Sequence, residues 1–232
     1  MKNILILRRV IFFIVPVLLF CTCKKDGYVV PSIATLTVVN AVVGAPIVYV
    51  RDVLVSNAIA NNNHAKVPIR AGDFDLYVWP KGDSLHPYHT NPKFYAENRG
   101  QYSLFLAGET TDVNGILLQE SFPYHVDSSF GIRFINLSPH SPPLNITLSR
   151  SPAINEVSNI SYLQYTDFKT YNGKGDVSNY IIQIRRASDN TLLLSYFLNP
   201  IPRFANVTLV IRGIIGMIGN KSLGITRVYN DR

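Results

Sequence analysis

The sequence predicts an all-β protein, two tandem antiparallel β-sandwich modules behind an N-terminal signal, and three observations carry that reading. The first is composition: of 232 residues only 16% are charged while 11% are aromatic, with 13 Tyr and 12 Phe. Val, Ile and Thr also recur throughout, a mixture that favours strands and argues against disorder. The second is a period-2 alternation of apolar side chains, as a strand with one buried face requires. The third is an internal duplication.

The duplication aligns the stretch from Val38 to Val50 without a gap on the stretch from Phe134 to Ile146. Each copy runs through an apolar pair, an Asn (Asn40, Asn136), a turn-prone middle, a Pro (Pro46, Pro142) and a new alternating strand. Farther on, Tyr102-Ser103-Leu104-Phe105-Leu106-Ala107-Gly108 matches Val207-Thr208-Leu209-Val210-Ile211-Arg212-Gly213, with one insertion between the blocks. Asn40 and Asn136 stand where a side chain can bond the backbone of a turn, and the prolines restart the chain in extended form.

Alternation sets Leu36 and Val38 against Thr35 and Thr37, and Ile132 and Phe134 against Arg133. It also sets Phe74, Leu76 and Val78 against Asp73, Asp75, Tyr77 and Trp79, and Tyr180, Ile182 and Ile184 against Ile181, Gln183 and Arg185. A one-residue slip would bury the charges, so each register is specified. No segment shows a capped 3.6-residue apolar stripe. These signals predict a first module over residues 33–124, closed by a strand within 112–122, a linker at 125–129 and a second module over 130–232.

Residues 1–23 read MKNILILRRVIFFIVPVLLFCTC, a basic start followed by an apolar run. That run has about a dozen residues where a spanning helix needs about 20, which makes it a secretory signal. The stretch from Leu19 to Asp26, LFCTCKKD, resembles the lipobox of bacterial lipoproteins in its loose Bacteroidetes form. The resemblance implies a signal peptide over 1–22, acylation of Cys23 and a tether over 23–32. It places the chain in the cell envelope, lipid-anchored at the outer membrane. Thr22 and Phe20 depart from the usual pattern and leave Cys21 as the alternative acceptor. No cysteine follows Cys23, which excludes a disulfide framework, a thiolate zinc site and a cysteine nucleophile from the body.

The formal charge is +7, but Lys2, Arg8 and Arg9 belong to the signal, leaving +4 on the rest. Those cations are scattered, so no track for a phosphate backbone exists and nucleic acid is not an expected partner.

With the duplicated Asn-to-Pro turn in view, the chain resembles the DUF4397 family of bacterial envelope proteins, whose modules carry patterns like VRVVNASPDAPAVDVYV and VPAGTYNLRV. The first pattern falls on Val38 to Val50 and Phe134 to Ile146, the second on Val67-Pro68-Ile69-Arg70-Ala71-Gly72-Asp73-Phe74-Asp75-Leu76. Ser138-Pro139 fits the family turn, while Val42-Val43 departs from it. The resemblance implies Ig-like or transthyretin-like sandwiches at the cell envelope and lends no activity.

Chemistry is sparse. The stretch from Gly213 to Ser222 looks like a phosphate loop, but Asn220 separates Gly219 from Lys221-Ser222 and a strand pattern follows, so a hairpin loop is expected. His86 and His89, with Asp83 nearby, are the only grouping that suggests a metal, and the expectation is that no metal or other cofactor is held. No nucleophile elbow occurs and no carboxylate pair stands out, which leaves a hydrolase as the weakest reading. Asp83-Ser84-Leu85 resembles an acceptor triplet for O-glycosylation in Bacteroidetes envelope proteins. The strongest functional lead is the aromatic stretch from Tyr77 to Tyr95. Tyr77 and Trp79 fall on the face opposite the core, and Tyr88, Phe94 and Tyr95 are expected in the long loop that follows. Such rings suit a protein partner or sugar rings, or else the loop folds back and covers them. The sequence therefore describes a non-enzymatic structural or interaction lipoprotein, with carbohydrate binding through Tyr77, Trp79, Tyr88 and Tyr95 as the alternative.

Overall fold

In the computed structural model, which describes residues 32–51, 58–174, 176 and 180–230, the chain up to Gln119 forms seven strands. These are β1 (Ile33–Asn40), β2 (Val48–Val50), β3 (Asn63–Arg70), β4 (Gly72–Pro80), β5 (His89–Ala96), β6 (Gln101–Glu109) and β7 (Asp112–Gln119). Eight more follow: β8 (Phe130–Leu137), β9 (Leu144–Leu148), β10 (Ser151–Ile160), β11 (Lys169–Tyr171), β12 (Ile181–Arg186), β13 (Leu192–Phe197), β14 (Asn206–Arg212) and β15 (Gly224–Asn230). The signal, Cys21, Cys23 and the tether up to residue 31 lie outside the described residues.

Each half is a sandwich of an inner and an outer sheet. The inner sheets run β3-β1-β6-β7 and β11-β8-β14-β15, the outer sheets β2-β4-β5 and β10-β9-β12-β13. Between these strands pairing is antiparallel except at one place per half, where β1 lies parallel to β6 and β8 parallel to β14. The two aligned blocks of the duplication are these parallel partners. Val38 stands opposite Leu104 and Asn40 opposite Leu106; in the second copy Phe134 stands opposite Leu209 and Asn136 opposite Ile211.

The duplicated polar residues hold the same turns. Asn40 donates to the carbonyls of Pro46 (3.0 Å) and Ile59 (3.3 Å), and Asn136 donates to Ser141 Oγ (3.1 Å) and the Ile160 carbonyl (3.2 Å). Both are fully buried, and a buried amide without partners would cost about 1–3 kcal/mol. The copies differ at the other end of the amide. Asn136 Oδ1 accepts from the Ser138 N–H at 3.1 Å, while Asn40 Oδ1 has no partner, in line with the departure of Val42-Val43 from the Ser-Pro turn. Gly108 and Gly213, also aligned, both have positive φ (102° and 80°). A Cβ there would fall 2.2 Å from the Asp112 carbonyl oxygen and 2.1 Å from that of Ser222, so the hairpins after β6 and β14 both require glycine.

Three apolar clusters result. One fills the first sandwich, with Leu36, Val38, Leu76, Val78 and Leu104, and another the second, with Ile132, Phe134, Ile146, Ile182 and Leu209. The third joins the halves: Val39, Ala41, Phe105 and Ala107 pack with Ile135, Leu137, Val210 and Val228. The inner sheets therefore lie face to face, and the expectation of half-buried inner strands is corrected. All eight residues of β8 are buried, and in β1 every residue from Leu36 to Asn40 is buried, Thr37 included.

Arg133, expected to face outward, is buried at this seam. Its Nη1 and Nη2 donate to the two oxygens of Glu120 (2.8 and 2.7 Å) and its Nε to Thr208 Oγ1 (3.2 Å). The two side chains are 6% and 3% exposed. Glu120 follows β7 directly, and its N–H donates to the Gln101 carbonyl at 2.8 Å, so the acid comes from the first half and the base from the second. The expected linker is tied down as well: His125 is buried, with Nε2 2.7 Å from Asn206 Oδ1, and Asn206 Nδ2 donates to the Pro123 carbonyl at 2.9 Å.

Arg133→Ala leaves the Glu120 carboxylate buried without its partner and is expected to destabilise the chain by about 3–5 kcal/mol. The joint replacement Arg133→Met with Glu120→Leu recovers most of that loss. Urea denaturation followed by the fluorescence of Trp79 measures both.

Candidate functional site

The outer face of β2-β4-β5 carries the aromatic group anticipated around Trp79. Tyr49 on β2 stands directly opposite Trp79 on β4, and Tyr77, two residues before Trp79, shares its face. Ring centroids lie 6.0 Å apart for Tyr49 and Trp79 and 5.9 Å for Tyr77 and Trp79, with interplanar angles of 37° and 49°. The Arg51 guanidinium sits 4.0 Å from the Tyr77 ring centroid and is ion-paired to Asp75, a cation–π contact that holds the edge of the row. All three rings are partly exposed. The Tyr77 hydroxyl donates to the Ser84 carbonyl at 2.6 Å, so the β4–β5 loop folds back onto Tyr77 but leaves Trp79 between its two tyrosines.

The other aromatic candidates are distributed differently from expectation. The loop after β4 ends at Tyr88, and Phe94 and Tyr95 belong to β5. Phe94 is buried in the first core, stacked edge-on against Phe74 and Tyr102. Tyr95 is 62% exposed and pairs with Asp73, four residues from Tyr77 along β4 and so roughly 13 Å away. Tyr88 packs against the first core; burial, and then the nearby Asp83 charge, push its phenol pKa up. Tyr49, Tyr77 and Trp79 thus form one group, while Tyr88 and Tyr95 stand apart from it. Tyr49 and Arg51 went unnoticed in the sequence because their place depends on the pairing of β2 with β4.

Of the metal-ligand candidates, Asp83 and His86 meet. His86 Nδ1 lies 2.8 Å from Asp83 Oδ2 in an exposed loop, and the hydrogen bond from His86 holds the Asp83 pKa below its usual value. His89 is not with them: its ring lies against Gly115 on the neighbouring inner sheet, and its Nε2 is buried without a partner. Among the described residues no group of three His, Cys, Asp or Glu side chains is placed to hold a metal ion. The stretch from Gly213 to Ser222 joins β14 to β15, which pair antiparallel, as a hairpin loop should.

A groove of about 410 Å³ opens at the seam, lined by Glu120, Arg133, Thr166, Asp167 and Phe168 among others. Two carboxylates border it, but both oxygens of Glu120 are engaged by Arg133. The Arg133 guanidinium also lies 4.6 Å from the Phe168 ring centroid. The pair closes the seam.

Fold and site together define a helix-poor double sandwich whose most distinctive surface is an aromatic row on one outer sheet. No family model matches the sequence, and no curated protein matches it. Among solved structures it is similar to the C-terminal domain of AlgF from P. aeruginosa, at 11% identity and a TM-score of 0.29, over 38% of this chain and 99% of that one. A likeness at that level carries no functional argument.

Burial lowers the pKa values of His89 and His64 below 6.5, with Lys66 adding to the effect at His64. Below pH 6.5 the unfolded chain therefore takes up protons that the folded chain refuses, and stability falls as pH drops from 6.5 through the depressed folded values. Thermal midpoints recorded across this range are expected to decline in the parent chain and to flatten when His64 and His89 are both replaced by Gln.

Proposed function

We propose that this chain is a non-enzymatic lipoprotein of the cell envelope, anchored at the outer membrane through acylated Cys23, and that it binds an envelope protein through the row formed by Tyr49, Trp79 and Tyr77. The carrying observation is a difference between the copies. On the equivalent outer sheet of the second half Gln183 and Arg185 bond to each other over the buried Thr147, where the first presents three rings and an Arg–Asp pair. Partly exposed Trp and Tyr beside Arg are the residue types that dominate binding energy at protein interfaces. The resemblance of the Asn-to-Pro turns to DUF4397 modules and of residues 19–26 to a lipobox support the envelope placement.

Carbohydrate binding is the second reading, favoured by the same rings and by the exposed Tyr95. The tilts of 37° and 49° between the rings break the row into separate faces, so it offers no continuous platform for a sugar chain. That feature ranks the protein partner first.

Two measurements test this reading. Labelled palmitate is expected to enter the parent chain and to be lost in Cys23→Ser; labelling that persists there and disappears in Cys21→Ser would move the anchor. Trp79→Ala is expected to abolish capture of an envelope protein in pull-downs while costing about 1–3 kcal/mol of stability, as truncation of a half-buried ring should. Capture that survives the substitution would place binding elsewhere, and retention on a glycan array that Trp79→Ala abolishes would favour the sugar.

A further inference from the structure

The two copies also differ in how one edge of the inner sheet is completed. In the first half β3 pairs with β1 residue by residue from Ile33 to Asn40. In the second half the same edge of β8 meets only the three residues of β11 and a single bridge from Tyr165 to Ile135. Residues 161–168 therefore form no regular strand, yet backbone bonds hold them in place. The Leu163 N–H donates to the Asn136 carbonyl (2.8 Å), the Asn136 N–H to the Gln164 carbonyl (2.9 Å) and the Thr166 N–H to the Phe134 carbonyl (2.9 Å). Two grooves flank this segment, the seam groove of about 410 Å³ and another of about 450 Å³ beside the end of β10, and Tyr165 and Thr166 line both.

The walls narrow the kind of ligand that fits. The second groove is lined by Ser158, Asn159, Gln164 and Thr166 among others, and by no charged residue. In the first, Arg133 is neutralised by Glu120, which leaves the exposed Asp167 as the charge outside that pair. An anion is therefore disfavoured. Polar side chains outnumber apolar ones in both walls, unlike the apolar pocket that an anchor residue of a protein partner fills. Tyr165 supplies the apolar element: it is 48% exposed, and the backbone bonds on either side fix its place. A pyranose is apolar on its C–H faces and ringed by hydroxyls, so it matches an aromatic face flanked by donors and acceptors.

We propose that this crease binds a neutral oligosaccharide, with Tyr165 against one sugar ring and the hydroxyl, amide and carboxylate groups on either side bonding the sugar hydroxyls. Two adjoining grooves of this size suit a short chain better than a single ring. The crease shares no residue with the aromatic row at Trp79 and does not rest on the partner proposed there.

The test uses the full chain in a sugar-free detergent, titrated calorimetrically with maltohexaose, cellohexaose, mannohexaose and N-acetylchitohexaose. At least one of these is expected to bind with a Kd below about 1 mM. Tyr165→Ala is expected to weaken that binding at least about tenfold and Tyr165→Phe to keep it within about threefold, because the ring supplies the stacking face. Asp167→Asn, which keeps the shape of the side chain, is expected to weaken it by about threefold to tenfold through loss of a charge-assisted hydrogen bond. The fluorescence midpoint of Trp79 in urea shows that each of these variants keeps its fold. Hexagalacturonate, with a carboxylate on every ring, is expected to bind more weakly than the neutral chains. Failure of all four neutral chains to bind, binding that a folded Tyr165→Ala or Asp167→Asn chain retains in full, binding that Trp79→Ala abolishes and Tyr165→Ala spares, or tighter binding of hexagalacturonate overturns the proposal.

Discussion

Everything else in this fold leans on the burial of the inner sheets against each other. A sheet in an isolated sandwich hides one face and wets the other. Here β8 is buried along its whole length, and Phe105 and Ile135 in the middle of the seam are fully enclosed. Removing either half would expose that apolar face on the other. The ion pair between Arg133 and Glu120 belongs to the same constraint. A buried pair of this kind gives little net stability compared with apolar residues of the same shape, but it punishes any mismatch, because a shifted seam would strand two charges away from water. Apolar packing supplies the attraction between the halves, and the pair helps to fix their register.

With the inner surfaces occupied, only the outer sheets, the edges and the loops remain to distinguish the copies, and there the duplicates have diverged most. The first outer sheet carries Tyr49, Trp79 and Tyr77 where the second carries a polar set around Gln183 and Arg185. The first outer edge holds Pro92 and Lys93 where the second is bare of both. Meanwhile Asn40 and Asn136, or Gly108 and Gly213, keep the same positions and do the same work. Residues that satisfy buried backbone have no freedom to drift, whereas exposed side chains do.

Local periodicity and the duplication made the strands and the turn residues legible, whereas the parallel pairing of β1 with β6 and of β8 with β14, in equivalent registers, appears only in the fold. The all-β class followed from the same signals. What stayed hidden depends on contacts between segments far apart in sequence. Arg133 looked like an outward charge because alternation reports which residues share a face and says nothing of what covers that face. Tyr49 and Arg51 joined the aromatic row only through pairing with β4. His89 parted from His86 because it starts β5 and turns toward Gly115, while His86 stays in the loop with Asp83. Phe94 and Tyr95, expected in a loop, belong to β5, and an edge strand tolerates Pro92 because one side of its ladder is empty.

The parallel pairs also set an order of events. β1 is the first of these strands to leave the ribosome, but its partner β6 begins at Gln101, opposite Thr35, and the strands that cover its other face, β8 and β14, come later still. Closing such a long loop must precede the reward of pairing, which slows folding. A nascent chain therefore carries Leu36, Val38 and Val39 uncovered for much of its synthesis, and the strand at the centre of the finished molecule is the one that spends longest in need of protection from other chains.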